Sequence, residues 1–374
     1  MSGIYIHVPY CKHKCEYCDF YSEVSFSKAN TFHRIIEKEL KLRANFLPQK
    51  KIETIYFGGG TPSVLLLEQI HHILQIINKE FSVCSSPEVT LEANPDDLSF
   101  EYLKGLLSIG INRLSIGIQS FADADLIGLG RRHNTRQAIC SVENAYNAGF
   151  KNISIDLIYG LPYSNTDIWK ENLNTAFSLP VQHLSCYHLI IEKGTPLSEK
   201  VSKGSLRLVK EDESVKQFQV LQELAKENNF VHYEISNFAK DGYLSKHNSS
   251  YWRQVSYLGV GPSAHSYNGV AREWNISSVK QWAAAVNSKK QVAEREILSR
   301  KDKLNEYLLT SLRTIWGVDM KDFERQFGRN ALNKLLCDAK PFISSGAVLK
   351  RKNNLIISPE AYLISDSIIG SLFQ

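Results

Sequence analysis

Short apolar runs alternate with longer amphipathic segments through the first two-thirds of the chain. The apolar runs, rich in β-branched residues, predict strands over 4–8, 52–57, 88–93, 113–118, 152–157 and 183–191, and the segments between them predict helices over 31–46, 65–81, 98–109, 135–148 and 166–179. Strands separated by helices form a parallel sheet, because a parallel connection needs a long crossover. The pattern fits a partial (β/α)6 barrel, and an open doubly wound sheet satisfies the same periodicity.

The pattern changes after residue 191. We predict a polar helix over 211–229 and a strand over 231–235, whereas 236–266, rich in Gly, Asn, Ser, His and aromatic residues, is predicted to be loop-like. Helices over 304–316, 320–327, 331–344 and 359–372 and a β-ribbon over 348–357 follow. The chain therefore divides into an α/β core domain over 1–235, a connecting segment over 236–300 and a small α+β C-terminal domain over 301–374, whose helices and ribbon resemble a winged helix.

The amino-acid composition argues against several classes of protein. The 374 residues carry 44 basic and 39 acidic side chains, a net charge of +5 that gives no reason to expect a nucleic-acid partner. The chain enters its first strand directly after Met1-Ser2-Gly3, and no apolar run approaches the roughly 18 residues of a spanning helix. The cysteines outside one cluster are scattered singly, which is typical of a reducing compartment. We expect a cytoplasmic protein without a transmembrane segment, with peripheral membrane contact left open.

Three cysteines, Cys11, Cys15 and Cys18, fall within eight residues directly after the first predicted strand. This C-x3-C-x2-C spacing lets one loop present three thiolates to an iron–sulfur cluster. A cubane has four irons, so three cysteines leave one iron without a protein ligand. A zinc site completed by His7 or His13 is the alternative that the spacing alone leaves open.

A second motif, Gly58-Gly59-Gly60-Thr61-Pro62, follows the second predicted strand, where glycines let the backbone approach a ligand closely. Together with the cysteine motif, and in this order, it resembles the radical S-adenosylmethionine (SAM) superfamily. The resemblance implies a partial (β/α)6 barrel in which the three cysteines hold a [4Fe-4S] cluster and SAM chelates the fourth iron. It also implies that Gly59, Gly60 and Thr61 line the methionine end of SAM.

Polar residues at the ends of predicted strands extend this expected site, because ligands collect at the C-terminal ends of parallel strands. The residues alone allow another reading for Asp156, which lies in an apolar strand and would pair there with Arg113 or Arg131. The resemblance implies contacts with SAM, or positions beside the cluster and adenine, for Tyr5, Tyr17, Glu92, Gln119, Arg131, Asp156, Ile190 and His265.

The whole chain resembles the coproporphyrinogen III oxidase-like branch of the superfamily, which contains two functional kinds. The dehydrogenases carry a further cysteine two residues after the third, where this chain has Phe20. They also carry an extension before the first strand, and here only three residues precede Ile4, so we expect none. Finally, the segment from His247 to Trp252 matches the H-N-x-x-Y-W motif of the HemW family of heme chaperones.

This motif has residues suited to heme. Imidazole is a common axial ligand of heme iron, so His247 is the expected ligand. Tyr251 and Trp252 offer flat faces to a porphyrin, and Arg253 offers a charge to a propionate. The alternative is structural: His247 and Asn248 cap a short helix while the two aromatic residues pack at the barrel mouth.

The sequence thus favours a HemW-like heme chaperone that binds a [4Fe-4S] cluster, SAM and heme and passes heme to acceptor proteins such as those of respiration. The alternative is an oxygen-independent coproporphyrinogen III dehydrogenase, a radical SAM enzyme of heme biosynthesis. A winged-helix regulator ranks last, because the chain lacks a concentrated basic face for phosphates. We assign no catalytic residue, and the sequence is compatible with a monomer or a homodimer.

Overall fold

The computed structural model describes residues 2–24, 29–49 and 51–374. The described residues form one large sheet. Its strands are β1 Ser2–Val8, β2 Lys51–Gly59, β3 Ser82–Ala93, β4 Arg113–Gln119, β5 Ile153–Tyr159, β6 His183–His188, β7 Val231–Glu234, β8 Asn237–Ala239, β9 Tyr257–Val260, β10 His265–Tyr267, β11 Ala271–Asn275 and β12 Ala293–Ile297. The spatial order is β12-β11-β10-β9-β1-β2-β3-β4-β5-β6-β8-β7. Strands β1 to β6 run parallel in chain order, as predicted, and β9 adds a further parallel strand beside β1.

Helices connect these strands and form the C-terminal part of the chain. They are α1 Ala29–Leu42, α2 Leu67–Glu80, α3 Phe100–Ser108, α4 Asp123–Gly128, α5 Thr135–Ala148, α6 Thr166–Ser178, α7 Pro196–Ser202, α8 Glu211–Glu227, α9 Lys246–Trp252, α10 Val279–Asn287, α11 Arg300–Leu312, α12 Met320–Phe327, α13 Arg329–Asp338, α14 Lys340–Ser344 and α15 Ser365–Ser371. Among the residues described, no helix is both long and apolar enough to cross a membrane.

The two faces of the sheet differ in chemistry. Alternate residues such as Ile4, Ile6 and Ile116 are fully buried in the main apolar core. The residues between them are polar: the Ser115 hydroxyl donates to the Asp156 carboxylate across the β4–β5 pair at 3.2 Å. A doubly wound sheet is covered by helices on both faces and would be apolar on both. The one-sided core therefore favours the partial barrel, with a polar concave face.

The loop-like prediction for 236–266 was wrong, because β8, α9, β9 and the start of β10 lie there. The glycines that suggest a loop serve close packing instead. A Cβ on Gly259 would lie 2.1 Å from the carbonyl oxygen of His265, so only glycine fits where β9 passes this chain segment. The predicted strand over 183–191 is also too long, since β6 ends at His188.

The C-terminal part contains a three-stranded sheet of order β13-β15-β14, with β13 Val318–Asp319, β14 Val348–Arg351 and β15 Asn354–Ile357. The predicted helix over 331–344 is divided into α13 and α14, and the predicted helix over 359–372 begins as a 3-10 turn before α15. The Ile315 amide donates to the Tyr233 carbonyl at 3.0 Å, and Arg253 lies over the Trp316 ring at 4.2 Å. These contacts join the C-terminal part to the core.

Candidate cofactor site

The three cysteines lie on the loop that follows β1, and neighbouring segments hold this loop in place. The Cys11 amide donates to the Glu23 carbonyl at 3.1 Å, and the Glu16 amide donates to the Leu129 carbonyl at 3.1 Å. Burial raises the pKa of the Cys18 thiol to about 11, and charge on Cys15 and Cys11 acts in the same direction. The Cys18 sulfur therefore lies within electrostatic range of the sulfurs of Cys11 and Cys15.

The donor set of this loop fits an iron–sulfur cluster. The Thr61 hydroxyl donates to the Cys11 sulfur, and an Arg131 guanidinium nitrogen donates to the Cys15 sulfur, each at 3.3 Å. Hydrogen bonds to sulfur are one of the means by which proteins tune such clusters. Within 2–24, 29–49 and 51–374, no three His, Cys, Asp or Glu side chains converge on a point suited to one metal ion. A cubane is wider than one ion and takes each thiolate at a separate corner.

The glycine-rich turn after β2 lies against the cysteine loop. The Gly60 amide donates to the Val8 carbonyl and the Thr61 amide to the Tyr10 carbonyl, each at 2.8 Å. Gly59 has a φ of +110°, and a Cβ on Gly60 would lie 2.8 Å from the Tyr10 oxygen. The turn is thus fitted to the loop backbone so closely that side chains there would displace it.

Two carboxylates lie on the concave face beside this turn. Glu92 accepts from the Tyr56 hydroxyl at 2.8 Å and from the Gly59 amide at 3.1 Å. Burial raises the pKa of Glu92 to about 7 and that of Asp156 to about 6. No salt bridge joins Asp156 to a cation among the described residues, so its carboxylate remains available for a ligand.

We expect a pH-dependent stability from Glu92. Its pKa is raised from 4.5 to about 7, so the folded state holds the proton more tightly than the unfolded chain. The stabilisation from this group is complete below about pH 4.5 and is lost as the pH rises to about 7. Glu92→Gln should therefore make the Tm measured by calorimetry without SAM less dependent on pH between 5 and 8.

The exposed Glu101→Gln on α3 is the matched control and should leave the profile of Tm against pH unchanged. Glu92→Gln also loses one acceptor for the Gly59 amide, which shifts the whole profile by a constant and leaves its slope to report the ionisation. Parallel profiles for wild type and Glu92→Gln would contradict the expectation.

Gln119 lies at the end of β4, and Arg131 lies shortly after the end of α4. Gln119 has a φ of +72°, a left-handed conformation that is rare outside glycine and concentrates at ligand sites. Arg131 donates to the Asn94 side chain at 2.8 Å and to the Gly117 carbonyl as well as to Cys15. Its Nε is buried and finds no partner in the part of the chain that the structure describes. Arg131 therefore lies beside the cysteine loop and still has a donor for another group.

The remaining expected contacts differ in their surroundings. Tyr17 packs against a small apolar cluster with Leu129 and Ile158, while Ile190 is 65% exposed after β6. Tyr5 has its hydroxyl 3.2 Å from His7 Nδ1. His265 lies close enough to His7 for its charge to lower the pKa of that buried imidazole further. Tyr5 and His265 thus converge on His7 at the β1 end of the site.

The H-N-x-x-Y-W motif forms α9, which packs against β1 and β2. His247 is only 2% exposed; Nδ1 lies 2.8 Å from the Thr54 hydroxyl and Nε2 lies 2.7 Å from the Tyr251 hydroxyl. Ser245, and not His247 or Asn248, caps the helix. Burial, with the charge of Arg113, lowers the pKa of His247 to about 3, so the imidazole is neutral. The ring stacks on Tyr56 at 4.9 Å.

Sequence reasoning missed Tyr56 and Ser185 as parts of the site. Tyr56 donates a hydrogen bond to Glu92 and stacks on the ring of His247. Burial raises the pKa of Asp156, and a hydrogen bond with Ser185 lowers it in part. A signal was present, because both are polar residues at alternate positions of otherwise apolar strands. Because side chains alternate between the two faces along a strand, Tyr56 and Ser185 lie on the same face of the sheet as Glu92 and Asp156.

The comparisons with known proteins agree with this geometry. Residues 5–176 match the radical SAM superfamily, and residues 298–364 match the HemN C-terminal domain. The structure of the coproporphyrinogen III oxidase HemN of Escherichia coli superimposes with a TM-score of 0.86, covering 100% of this chain and 90% of that one. At 21% identity this similarity concerns the fold, and together with the family match it confirms the predicted radical SAM α/β fold.

Sequence relatives are more specific. The heme chaperone HemW of Bacillus subtilis is 33% identical over 374 residues, which are 99% of each chain. HemW of Lactococcus lactis is 36% identical over 326 residues, covering 87% of this chain and 85% of the relative. The mitochondrial radical S-adenosyl methionine domain-containing protein 1 of Bos taurus is 32% identical, covering 100% of this chain and 87% of its own length. This chain therefore belongs to the HemW family of the radical SAM superfamily.

Proposed function

We propose that this protein is a cytoplasmic heme chaperone that binds a [4Fe-4S] cluster, SAM and heme and passes heme to acceptor proteins. The observation that carries the proposal is the end-to-end similarity to a heme chaperone, 33% identity over 99% of both chains. The cysteine loop, the glycine-rich turn and α9 supply the residues that these three ligands require.

Cys11, Cys15 and Cys18 would hold the cluster, whose fourth iron supplies a coordination site for SAM. Gly59 and Gly60 hold the turn close against the cysteine loop, and Glu92 and Asp156 would offer acceptors to the hydroxyl or amino groups of SAM. The free Nε of Arg131 is suited to a carboxylate. These residues would orient SAM on the concave face.

His247 is the proposed heme ligand, and Tyr251 controls its availability. A neutral imidazole has the lone pair that iron needs, and the lowered pKa of His247 keeps it neutral. Its Nε2 is engaged by the Tyr251 hydroxyl at 2.7 Å, and Tyr251 also lines a cavity next to α9. Heme ligation by His247 therefore requires Tyr251 to turn away.

An anaerobic heme titration of the cluster-reconstituted protein tests the proposal. Wild type should bind about one heme per chain, as one axial-ligand site requires. His247→Ala should weaken binding or shift the Soret band, and Tyr251→Phe, which frees Nε2, should strengthen it. His71→Ala on the surface of α2 is the control and should match wild type.

Equal spectra and affinities for wild type and His247→Ala would overturn this ligand assignment. Coproporphyrinogen III supplied to the same preparation with SAM and a reductant distinguishes the enzyme alternative. Catalytic formation of the divinyl product would overturn the chaperone proposal and establish the dehydrogenase.

A further inference from the structure

A groove runs between the barrel and the C-terminal part of the chain. It consists of three adjoining cavities of about 150, 440 and 730 Å³, and the two larger ones have volumes typical of ligand sites. Gln254 and Tyr267 line both the first and the second cavity, and Arg300 and Phe327 line both the second and the third. We call these three cavities the interdomain groove.

The inner end of the interdomain groove is aromatic and contains unused donors. Tyr251, Trp252, Tyr257 and Tyr267 line it. Among the described residues, Trp252 Nε1 and Gln254 Nε2 have no hydrogen-bond partner, and both are buried. Flat rings and a few donors suit a planar, largely apolar ligand.

The outer end is cationic. Five of the described residues that line the two larger cavities are basic: Arg300, Lys301, Lys303, Arg329 and Lys334. No described Asp or Glu side chain lines any of the three cavities. Arg329 pairs with Glu324 and Lys334 with Asp338, each outside the cavity lining. Lys301 and Lys303 form no salt bridge within the described part of the chain, so their charges are free to meet an anionic ligand.

We propose that the interdomain groove binds a planar tetrapyrrole with its ring against the aromatic end and its carboxylates toward Lys301 and Lys303. This inference rests on the proposed function, because heme is a flat apolar ring with two propionates at one edge. Charge-assisted hydrogen bonds from lysine to carboxylate supply the orientation. The ring edge then faces α9, on which Tyr251 contacts His247.

The experiment compares three porphyrins on three proteins. The porphyrins are hemin, hemin dimethyl ester, in which both carboxylates are blocked, and iron-free protoporphyrin IX. The proteins are wild type, Lys301→Gln/Lys303→Gln, and the charge-matched control Lys216→Gln/Lys226→Gln on exposed positions of α8. Soret absorbance and porphyrin fluorescence report binding.

We expect the Lys301→Gln/Lys303→Gln protein to bind hemin and protoporphyrin IX roughly tenfold more weakly than wild type and the control. All three proteins should bind the dimethyl ester equally. Saturable hemin binding that is indifferent to these lysines would overturn the groove assignment and leave the heme chaperone proposal standing. Lysine-dependent binding of protoporphyrin IX without any effect of His247→Ala on hemin would support the groove and overturn the axial ligand. Absence of saturable binding for every porphyrin would overturn both.

Discussion

Cys15→Ala is expected to leave the reconstituted protein with less than one iron per chain, against about four in wild type. Each thiolate of a three-cysteine loop holds one corner of the cluster, and no other described Cys, His, Asp or Glu group is gathered to replace it. Cys15 also accepts a hydrogen bond from Arg131, so its loss removes a second restraint on the loop. Iron and acid-labile sulfide analysis after anaerobic reconstitution measures the effect.

Cys84→Ala is the matched control, because Cys84 lies in β3 away from the cysteine loop. It should retain the iron content of wild type. If Cys15→Ala kept about four irons while Cys84→Ala lost them, the ligand assignment would be wrong. Equal loss in both variants would point to a folding defect, which circular dichroism of the same samples would reveal.

Glu39→Ala is expected to lower the stability by about 3–5 kcal/mol, since it leaves three buried donors without this acceptor. Arg43 keeps its other ion pair, with Glu273 at 2.7 Å. Glu39 is fully buried on α1 and accepts from the Gly261 amide at 2.8 Å, Trp282 Nε1 at 2.8 Å and Asn275 Nδ2 at 2.6 Å. Arg43 adds an ion pair at 3.5 Å. The Glu39 carboxylate thus connects α1 to α10, β11 and the turn after β9 through hydrogen bonds.

The midpoint of urea denaturation measures this loss. Glu37→Ala, two residues earlier on α1, removes a partly exposed carboxylate paired with Lys41 and should cost less than about 1 kcal/mol. Glu39→Gln should fall between the two, because the amide keeps an acceptor while the charge opposite Arg43 is lost. A midpoint for Glu39→Ala equal to that of Glu37→Ala would contradict the expected role.

The parallel core was predictable because its strands are local and apolar. Residues such as Ile4, Ile6 and Val8 carry both strand propensity and burial, so a short window of sequence contains the signal. The cysteine loop was predictable for a similar reason, since its spacing alone restricts its chemistry. The assignment of those cysteines and of the SAM contacts to bound ligands remains a prediction.

The position of α9 could not be predicted, because it depends on contacts across 193 residues. His247 meets Thr54 from β2, and its backbone amide donates to Glu88 of β3 at 2.9 Å. Nothing within the motif indicates these partners. The motif also suggested Arg253 as a propionate partner, whereas Arg253 lies over the Trp316 ring. The cations beside the interdomain groove come from α11 and α13, which sequence proximity does not associate with the motif.

The column of side chains inside the barrel has a thermodynamic consequence. Tyr251 contacts His247, His247 stacks on Tyr56, and the Tyr56 hydroxyl donates to Glu92, which holds the Gly59 amide. Under the proposed function, heme displaces the first member of this column and SAM engages the last. Linkage then requires that any factor by which heme changes the affinity for SAM equals the factor by which SAM changes the affinity for heme. Where this factor differs from one, the binding of SAM changes how much heme the protein holds at equilibrium, and this coupling does not require that any bond of SAM is broken.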